Sequence, residues 1–477
     1  MSQLVNPENV THYKDVPISG LSADSRLVTP GDIFAALPSV TPQGVDGRTF
    51  IQKAIENGAA CILTLPGLGD IGVPVIENAA PRREYTRLAA KLFPGQPENM
   101  VVVTGTNGKS STVEFLRQIW DFAGKKAACF GTLGIRTQDG LEPLTHTTPD
   151  AVTLHKTLSQ LSARGIHFCG MEGSSHGLKQ FRLDEVKPSA VAFTNLTQDH
   201  FDYHPDIEDY FQSKARLFHE IAPKNCSAII NVDSEFGEKM AILAEKSGLK
   251  VIRVGWAGED IRIAEIMPKS ASQRVDLVWD GKRVQIDIPL AGEFQILNVV
   301  TALGLAVQTG VEKAVALKAV QKLTGVSGRM ERAGMSVTNA PIFVDFAHTP
   351  DGLEKLLRGV RPHTQGRIIL VFGCGGDRDP EKRPIMGKIA AKLADTVIVT
   401  DDNPRFENPD IIRLSVLQGC PDADNIGDRK DAISFGISLL AKGDCLVIAG
   451  KGHESGQIIG DKVIPFNDAQ IVREILA

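Results

Sequence analysis

Runs of consecutive apolar residues, more than alternating ones, dominate the pattern of hydrophobic and polar positions along this chain of 477 residues. Such runs are typical of strands that a parallel sheet buries on both faces, and amphipathic helical patterns lie between them. The predicted buried strands include 101–103, 190–194, 228–232, 341–345, 367–372, 396–400 and 445–449. The pattern therefore predicts an α/β protein.

Changes in this pattern divide the chain into three segments. Residues 93–99 contain two prolines and a glycine, which predicts a linker. The preceding segment has short apolar runs and a helical pattern at 50–57, so residues 1–97 are expected to form a small α/β domain. Alternating strands and helices over 98–328 predict a central nucleotide-binding domain with a mostly parallel sheet. A second α/β series predicts a C-terminal Rossmann-like domain over 329–477.

The composition is that of an ordinary globular protein, with 42% hydrophobic and 23% charged residues. The net charge of −5 gives no electrostatic reason to expect nucleic acid as a partner. Residues 1–10 lack the pattern of a signal peptide, and no apolar run is long enough to span a membrane. The seven cysteines are scattered without metal-type spacing. We therefore expect a cytoplasmic protein with reduced thiols and no membrane insertion.

The most informative segment is a glycine-containing turn between the strand at 101–103 and a helix predicted over 110–120. Backbone N–H groups at such a helix N-terminus bind phosphate, Lys109 can reach the terminal phosphates, and the Ser110 hydroxyl can hold Mg²⁺. Val103 stands where the full P-loop motif has glycine, so the loop is a variant. The alternative is a tight turn with a chance lysine. We predict ATP or GTP binding by Gly105, Thr106, Asn107, Gly108, Lys109, Ser110 and Ser111.

Polar residues follow other predicted strands of the central segment. Glu172 comes after an apolar run at 166–169, where a carboxylate can face a nucleotide, but a loop glutamate taken alone is usually solvated. The segment 195–204 contains two histidines and two aspartates, which predicts either a Mg²⁺ or Mn²⁺ site or a polar turn that caps a helix. Lys214 lies on a helix predicted over 207–218, and taken alone it is expected to be solvated.

Three charged loops follow predicted strands of the C-terminal segment, at 372–379, 401–405 and 450–454. The first is rich in glycine and ends with arginine, whose charge suits a ligand that carries a carboxylate. Each loop alone carries little information. Because chemistry in open α/β sheets lies at the carboxyl ends of the strands, a shared pocket is favoured over three independent turns.

Together these motifs resemble those of the Mur ligase family, the ATP-dependent amino-acid ligases of peptidoglycan precursor synthesis. The resemblance covers the whole chain. It implies a domain that binds UDP-MurNAc at 1–97, an ATP-binding ligase domain at 98–328 and an amino-acid-binding domain at 329–477. It further implies that a cytoplasmic monomer couples meso-2,6-diaminopimelate to UDP-MurNAc-L-Ala-D-Glu through an acyl phosphate, with ATP and two Mg²⁺.

The resemblance also implies roles for individual residues. Lys214 matches the lysine that the family carbamylates, and the resulting carbamate would hold Mg²⁺ with Glu172 and His200, beside Ser110. Lys109, Lys214, His200 and Glu172 are the implied catalytic residues. Further nucleotide contacts are Asn298, Arg329, Asp345 and His348. The implied contacts to the UDP-MurNAc dipeptide are Ser25, Thr147, Thr148, Ser174, Gln180 and Arg182. Those to diaminopimelate are Arg378, Asp402, Asn403, Pro404, Arg405, Gly450 and Glu454.

The segment from Asp402 to Arg405 matches the family motif that distinguishes diaminopimelate ligases from lysine ligases. Diaminopimelate has one more carboxylate than lysine, and the planar fork of Arg405 can bind it with two hydrogen bonds. Glu454 is expected to bind the distal ammonium. The alternative is that Arg405 pairs with Asp402 or Glu407 on the surface.

Three positions depart from the family pattern: His146 and Gln295 replace asparagine, and Gly173 replaces a common valine. Two alternatives to this function are another enzyme with the same ATPase core and a protein of a different functional class. A folylpolyglutamate synthetase shares the ATPase core but has no large domain before the phosphate loop, so residues 1–97 argue against it. A nucleotide-dependent binding or switch protein would not need the charged C-terminal loops.

Overall fold

The computed structural model describes residues 1, 4, 10–11, 16–40, 44–144, 147–199, 203–269 and 272–477. The chain forms two compact units. The first contains Met1–Arg262 and Asn298–Ala319, and the second contains Ile263–Leu297 and Val320–Ala477. Mostly parallel sheets alternate with helices in both, so the predicted α/β fold class is confirmed.

The N-terminal part of the first unit is a mostly parallel sheet with the strand order β1-β5-β4-β3-β2. Its strands are short and buried, and α2, which starts with a proline in its first turn, packs on the same core as Ala151. The strands are β1 Val10–Thr11, β2 Gly20–Ser22, β3 Asp32–Ala35, β4 Cys61–Thr64 and β5 Val75–Glu77. The helices are α1 Ile51–Glu56 and α2 Pro81–Leu92, with 3₁₀ turns at Ser25–Leu27 and Gly47–Phe50.

The central sheet of this unit is assembled from buried, β-branched runs. The strands are β6 Asn99–Thr104, β7 Ala127–Gly131, β8 Gly134–Thr137, β9 Gly140–Glu142, β10 Phe168–Glu172, β11 Ala190–Phe193, β12 Ser227–Asn231, β13 Lys250–Gly255 and the start of β14 Ile261–Pro268. The helices are α3 Lys109–Phe122, α4 Ala151–Ala163, α5 Ser175–Lys179, α6 Ile207–Arg216 and α7 Glu235–Lys246. Most of α8 Glu293–Gln308 and α9 Lys313–Ala319, which a 3₁₀ turn at Val320–Lys322 follows, complete the set.

The strand order β13-β12-β11-β6-β10-β7-β8-β9 puts β6 between β11 and β10. All three strands are parallel, and Val103 of β6 lies opposite Ala192 on one side and Glu172 on the other. Their carboxyl ends therefore meet at one edge of the sheet. Because β6 leads into the phosphate loop, this edge is where the predicted nucleotide chemistry belongs.

Two predicted elements of this unit need correction. The strand expected at 166–169 is Phe168–Glu172, so Glu172 is the last residue of a strand and does not lie in a loop. The helix expected over 207–218 is α-helical only to Arg216 and continues as a π-helical turn at Leu217–Ile221. The first correction matters most, because a strand end fixes the glutamate far more firmly than a loop would.

The second unit contains a sheet with the strand order β17-β18-β22-β19-β20-β21 between two apolar cores. Its strands are β17 Glu331–Met335, β18 Pro341–Asp345, β19 Ile368–Phe372, β20 Thr396–Val399, β21 Asp424–Asn425 and β22 Cys445–Ala449. Its helices are α10 Pro350–Val360, α11 Lys382–Leu393, α12 Pro409–Leu417, α13 Arg429–Ser438 and α14 Asp468–Leu476, with a 3₁₀ turn at Arg361–His363. Antiparallel pairs are formed by β15 Gln273–Trp279 with β16 Lys282–Ile288 and by β23 Gly456–Ile459 with β24 Lys462–Pro465.

The cysteines agree with the expectation of reduced thiols. All seven cysteines are buried and free, and burial raises the pKa of the Cys169 thiol to about 12. A thiol with so high a pKa is protonated and unreactive at neutral pH. Across the residues that the structure describes, no helix combines the length and the apolar character needed to cross a bilayer.

Candidate active site

The phosphate loop connects β6 to the first turn of α3. Gly108 has a φ of +86°, and a Cβ at this position would overlap Asn298 Oδ1, so only glycine fits. Lys109 Nζ donates to the backbone carbonyls of Gly105 at 2.9 Å and Thr106 at 2.8 Å. Its ammonium therefore lies over the loop at the helix N-terminus, where the helix dipole also favours an anion.

Residues that follow β11 hold this loop in place, and the sequence analysis gave them no role in doing so. Asn107 N–H donates to Asn195 Oδ1 at 3.0 Å, and Thr106 N–H donates to the Asn195 carbonyl at 2.9 Å. The Thr194 hydroxyl donates to the Asn107 carbonyl at 2.6 Å. The available signal was their place immediately after a buried strand that neighbours β6.

Lys214 is buried, with 1% of its surface exposed, so the expectation of a solvated helix lysine is wrong. Its Nζ donates to the Gly105 carbonyl at 2.9 Å and lies 4.3 Å from the centre of the Tyr210 ring. Burial, reinforced by the charge of Lys109, holds the pKa of the Lys214 ammonium well below its usual value. The structure thus brings the two predicted catalytic lysines to one carbonyl.

Glu172 is also buried, with 1% exposure, and the expectation of a solvated carboxylate is wrong. Its Oε1 accepts from Thr132 N–H at 2.8 Å, and its Oε2 accepts from the Thr132 hydroxyl at 3.2 Å. The side chain passes so close to Gly131 that a Cβ there would overlap the carboxylate. The sequence did not indicate that Gly131 and Thr132 support Glu172. Their role becomes clear only because β7, which ends at Gly131, pairs with β10, which ends at Glu172.

Most of the residues implied to contact the UDP-MurNAc dipeptide form one hydrogen-bonded group with Glu172. Thr147 Oγ1 lies 3.0 Å from the Thr132 hydroxyl, and the Thr148 hydroxyl donates to the Glu172 carbonyl at 3.0 Å. Arg182 donates to the Thr148 carbonyl at 2.6 Å and to Gln180 Oε1 at 2.7 Å.

Two further residues of the implied dipeptide site occupy different positions. Ser174 Oγ accepts from Gly177 N–H at 3.1 Å and so caps α5, next to the hydrogen-bonded group. The Ser25 carbonyl accepts from Asn57 Nδ2 at 2.8 Å beside the N-terminal sheet. Within the described ranges, no hydrogen bond joins Ser25 to the group around Glu172.

The predicted metal ligands are only partly covered. The predicted metal ligand His200 lies outside the described residues, as does His146, one of the three departures from the family pattern. Among the residues that are described, no three His, Cys, Asp or Glu side chains are grouped to hold a metal ion. Mg²⁺ takes oxygen ligands, often only one or two from protein carboxylates, and keeps water and substrate phosphates as the rest. The buried carboxylate of Glu172 and the Ser110 hydroxyl at the helix N-terminus fit that donor set.

The predicted nucleotide residues of the second unit surround Phe346. The Arg329 guanidinium lies 4.8 Å from the Phe346 ring centre, and Asp345 accepts from the backbone N–H groups of Met330 at 2.7 Å and Ala347 at 2.8 Å. His348 Nδ1 is 2.8 Å from the Phe346 carbonyl. Arg329 Nε is buried without a hydrogen-bond partner in the described chain, as expected of a group that a ligand completes.

The loop that contains Arg405 is held in one conformation. Arg405 has a left-handed backbone conformation, with a φ of +51°. Two hydrogen bonds to the β23–β24 hairpin hold this conformation. Arg405 N–H donates to the Ile458 carbonyl at 3.0 Å, and Gly460 N–H donates to the Arg405 carbonyl at 2.8 Å. The guanidinium donates through Nη1 to the Gly376 carbonyl at 2.7 Å. In the described chain no ion pair joins Arg405 to Asp402 or Glu407, and Glu407 pairs with Arg383 at 2.9 Å, so the alternative of a surface ion pair for Arg405 is wrong.

The other residues predicted to bind diaminopimelate lie around this loop at the strand ends of the same sheet. Asp402 and Pro404 are buried within it, and Gly450 N–H donates to the Asp345 carbonyl at 3.1 Å. Arg378 is exposed, and its Nη1 is 3.3 Å from the Asp377 carbonyl. The loops at 372–379, 401–405 and 450–454 thus meet, as the prediction of a shared pocket requires.

The sequence assigned no role to two buried cations at this sheet edge, Lys451 within the loop at 450–454 and Arg429 at the start of α13. Lys451 Nζ donates to Glu454 Oε2 at 2.8 Å, so one oxygen of Glu454 already has a cationic partner. Arg429 forms a buried ion pair with Asp468 at 2.7 Å and donates to the Ala449 carbonyl at 3.0 Å, at the end of β22. Sequence periodicity could not distinguish them from solvated residues.

Comparison with known proteins identifies the family. The family model of the Mur ligase middle domain matches residues 103–306, and that of the Mur ligase glutamate ligase domain matches 328–452. The UDP-N-acetylmuramoyl-L-alanyl-D-glutamate--2,6-diaminopimelate ligase of Chelativorans sp. (strain BNC1) is 47% identical over 463 residues, covering 97% of this chain and 95% of that protein. The chain belongs to the Mur ligase family. The resemblance that the motifs indicated is therefore confirmed.

Solved structures of other proteins share the fold of this Mur ligase over most of its length. A UDP-N-acetylmuramoyl-L-alanyl-D-glutamate--2,6-diaminopimelate ligase structure has a TM-score of 0.72 and 34% identity, covering 96% of this chain and 95% of its own. The Mycobacterium tuberculosis folylpolyglutamate synthase complexed with ADP shares the fold, with a TM-score of 0.64 and 17% identity, and covers 78% of this chain and 92% of its own. The fuller match favours the ligase over the folylpolyglutamate alternative.

The structure describes the surroundings of two positions at which this Mur ligase departs from the family pattern, Gln295 and Gly173. Gln295 Nε2 donates to the Arg329 carbonyl at 3.1 Å and so supports a predicted nucleotide contact. A Cβ at Gly173 would lie 3.0 Å from Val102 Cγ1, so a larger residue here would require β6 to shift slightly. Neither departure disturbs Lys109, Lys214 or Arg405.

Proposed function

We propose that this chain joins meso-2,6-diaminopimelate to UDP-MurNAc-L-Ala-D-Glu at the expense of ATP, in the cytoplasm and as a monomer. Relatives that bear the name of this activity support the proposal over nearly the whole chain. The observation that carries the choice of amino acid is Arg405. Its Nη1 is held by backbone carbonyls, and within the described chain no partner occupies Nε or Nη2. That edge of a guanidinium binds a carboxylate with two parallel hydrogen bonds.

We also propose that each of the three predicted domains binds a different substrate. Residues 1–97, including Ser25, would bind the UDP-MurNAc part of one substrate. Residues 98–328 would bind ATP and carry out the phosphoryl transfer, and residues 329–477 would bind the amino acid. The hydrogen-bonded group of Thr147, Thr148, Gln180 and Arg182 around Glu172 supports the view that the dipeptide end reaches the phosphate loop.

The proposed reaction has two steps. The γ-carboxylate oxygen of the D-glutamyl residue attacks the γ-phosphorus of ATP and releases ADP, which leaves an acyl phosphate. The amine of diaminopimelate then attacks the acyl carbon, loses a proton and expels inorganic phosphate. Lys109 and the N-terminal N–H groups of α3 would neutralise charge on the transferring phosphoryl group. The contacts of Lys109 with the Gly105 and Thr106 carbonyls at the start of α3 support this role.

Mg²⁺ would be held by Ser110, Glu172, His200 and carbamylated Lys214, and when bound it would neutralise phosphate charge. Carbamate formation requires a neutral amine: the Lys214 nitrogen attacks CO₂, an N–C bond forms, and a proton is released. Burial, together with the charge of Lys109, holds the pKa of the Lys214 ammonium well below its usual value, which favours the neutral amine. The hydrogen bonds of Thr132 meanwhile hold the Glu172 carboxylate in a single orientation.

Replacement of Lys214 tests the carbamate. Lys214→Arg keeps a positive charge but cannot be carbamylated in this way, and we expect ligase activity to fall about 10²-fold, as typical for loss of a group that supports a metal. In Lys214→Ala, added acetate or another short carboxylic acid should restore part of the activity. The exposed Lys224→Arg variant is the matched control. Full activity of Lys214→Arg would rule the carbamate out.

The product itself tests the proposed function. The enzyme would be incubated with UDP-MurNAc-L-Ala-D-Glu, ATP, Mg²⁺ and equal amounts of lysine and meso-diaminopimelate, and the product mass would be measured. We expect the diaminopimelate adduct to dominate. A lysine adduct would overturn the choice of amino acid, and ATP turnover independent of either co-substrate would favour a nucleotide switch.

A further inference from the structure

Lys451 is a lysine with no exposed surface, at the carboxyl end of β22. It belongs to the charged loop at 450–454, and its sequence context alone assigns it no role. Its Nζ donates to Asn403 Oδ1 at 2.9 Å and to Glu454 Oε2 at 2.8 Å, and both acceptors belong to the predicted diaminopimelate site. A buried ammonium costs free energy unless such partners compensate it, so these contacts are specific structural features.

The contacts of Lys451 fix the orientation of the Asn403 amide. Asn403 Oδ1 accepts from both Lys451 Nζ and Ile458 N–H, at 2.9 Å each, so both of its lone pairs are used. Asn403 Nδ2 donates one hydrogen to Glu454 Oε2 at 2.9 Å. The amide cannot flip without losing all three bonds. Only its second N–H remains to meet a ligand, and that group can bind only an acceptor such as a carboxylate.

The same cation fixes Glu454. Two donors, Lys451 and Asn403, share Oε2, and in the described part of the chain no donor is directed at Oε1. Burial would raise the pKa of Glu454, but the bonds from Lys451 and Asn403 outweigh it and hold the pKa below its usual value, with His453 adding to the same effect. The carboxylate therefore stays ionised and offers Oε1 as an acceptor.

We propose that Lys451 is a positioning residue that sets the donor and acceptor polarity of the amino-acid pocket. It makes Asn403 a donor for the carboxylate of a zwitterionic head group and leaves Glu454 Oε1 as the acceptor for its ammonium. This inference rests on the proposed function, because it takes an amino acid as the ligand of these loops. It goes further by naming the buried group that decides which end of the head group each side chain binds.

Lys451→Met tests the proposal, because methionine is similar in length and has no charge. We expect the KM for diaminopimelate to rise about 10- to 100-fold, the loss typical of hydrogen bonds to charged groups, with unchanged KM values for ATP and UDP-MurNAc-L-Ala-D-Glu. The exposed Lys442→Met variant is the control and should match the wild type. An unchanged diaminopimelate KM, or an equal rise in all three KM values, would overturn the proposal.

A double variant keeps the test valid if Lys451→Met does not fold. Lys451→Met with Glu454→Gln removes both charges, so no uncompensated charge stays buried. In the Glu454→Gln background, adding Lys451→Met should raise the diaminopimelate KM by a smaller factor than in the wild type, because only the orientation of Asn403 is then left to lose. Fully additive effects, or a double variant that also fails to fold, would overturn the proposal.

The outcome for the wild type separates this proposal from the proposed function. A wild-type enzyme that makes no diaminopimelate product contradicts the proposed function, whatever Lys451 does. If the wild-type enzyme uses another amino acid, the KM for that amino acid is the quantity that Lys451→Met should raise. A normal wild type with an unaffected Lys451→Met variant contradicts the role of Lys451 alone.

Discussion

Arg405→Ala should abolish most of the discrimination between diaminopimelate and lysine, by roughly 10⁴-fold in the ratio of kcat/KM values. In the wild type, bound lysine would leave the Nε and Nη2 edge of Arg405 without its anionic partner. A site built around a polar contact rejects a ligand that lacks it, because the protein group is then left unpaired. With alanine the penalty disappears for lysine and the carboxylate contact disappears for diaminopimelate.

Steady-state kinetics with each amino acid measure this effect. The KM for ATP should stay unchanged, which separates loss of recognition from loss of fold. Arg358→Ala is a suitable control because Arg358 is an exposed residue of α10, and its ion-pair partner among the described residues is Glu354 of the same helix. If the KM of Arg405→Ala for diaminopimelate equals that of the wild type, Arg405 does not bind the additional carboxylate of diaminopimelate.

Lys109→Ala should lower the rate of product formation by about 10³-fold or more, the range seen when a group that neutralises transferring phosphate is removed. Its ammonium lies over the phosphate loop on the carbonyls of Gly105 and Thr106. The loop itself should survive, because Asn195 and Thr194 hold it independently.

Single-turnover formation of ADP measures the step that Lys109 serves. Circular dichroism should confirm that the variant is folded, and Lys246→Ala, an exposed change at the end of α7, serves as the control. Near-normal turnover by a folded Lys109→Ala variant would exclude the proposed role.

The buried strands were predictable because each is a local run of apolar residues. The strands Pro341–Asp345 and Cys445–Ala449 end where the pattern placed them, and α3 extends the predicted helix by only a few residues. Local composition determines these elements, since a run buried on both faces tolerates few polar residues.

The burial of the catalytic side chains was not predictable from local pattern. Lys214 shares a helix face with Tyr210 and Phe218, each four residues away, but the helix alone does not show that the phosphate loop encloses its ammonium. Glu172 is buried because Gly131 of the neighbouring strand leaves room for its carboxylate. Both facts depend on residues distant in sequence, and only the resemblance to the Mur ligases indicated their importance.

The left-handed backbone of Arg405 has a consequence for engineering. A residue other than glycine pays about 1–2 kcal/mol for this conformation, and here the β23–β24 hairpin maintains it through hydrogen bonds on both sides of the residue. Transplanting the segment from Asp402 to Arg405 alone into a ligase with another amino-acid preference would deliver the arginine without the backbone that aims it. A graft that changes the amino-acid preference of the recipient ligase must transfer the loop and the β23–β24 hairpin together.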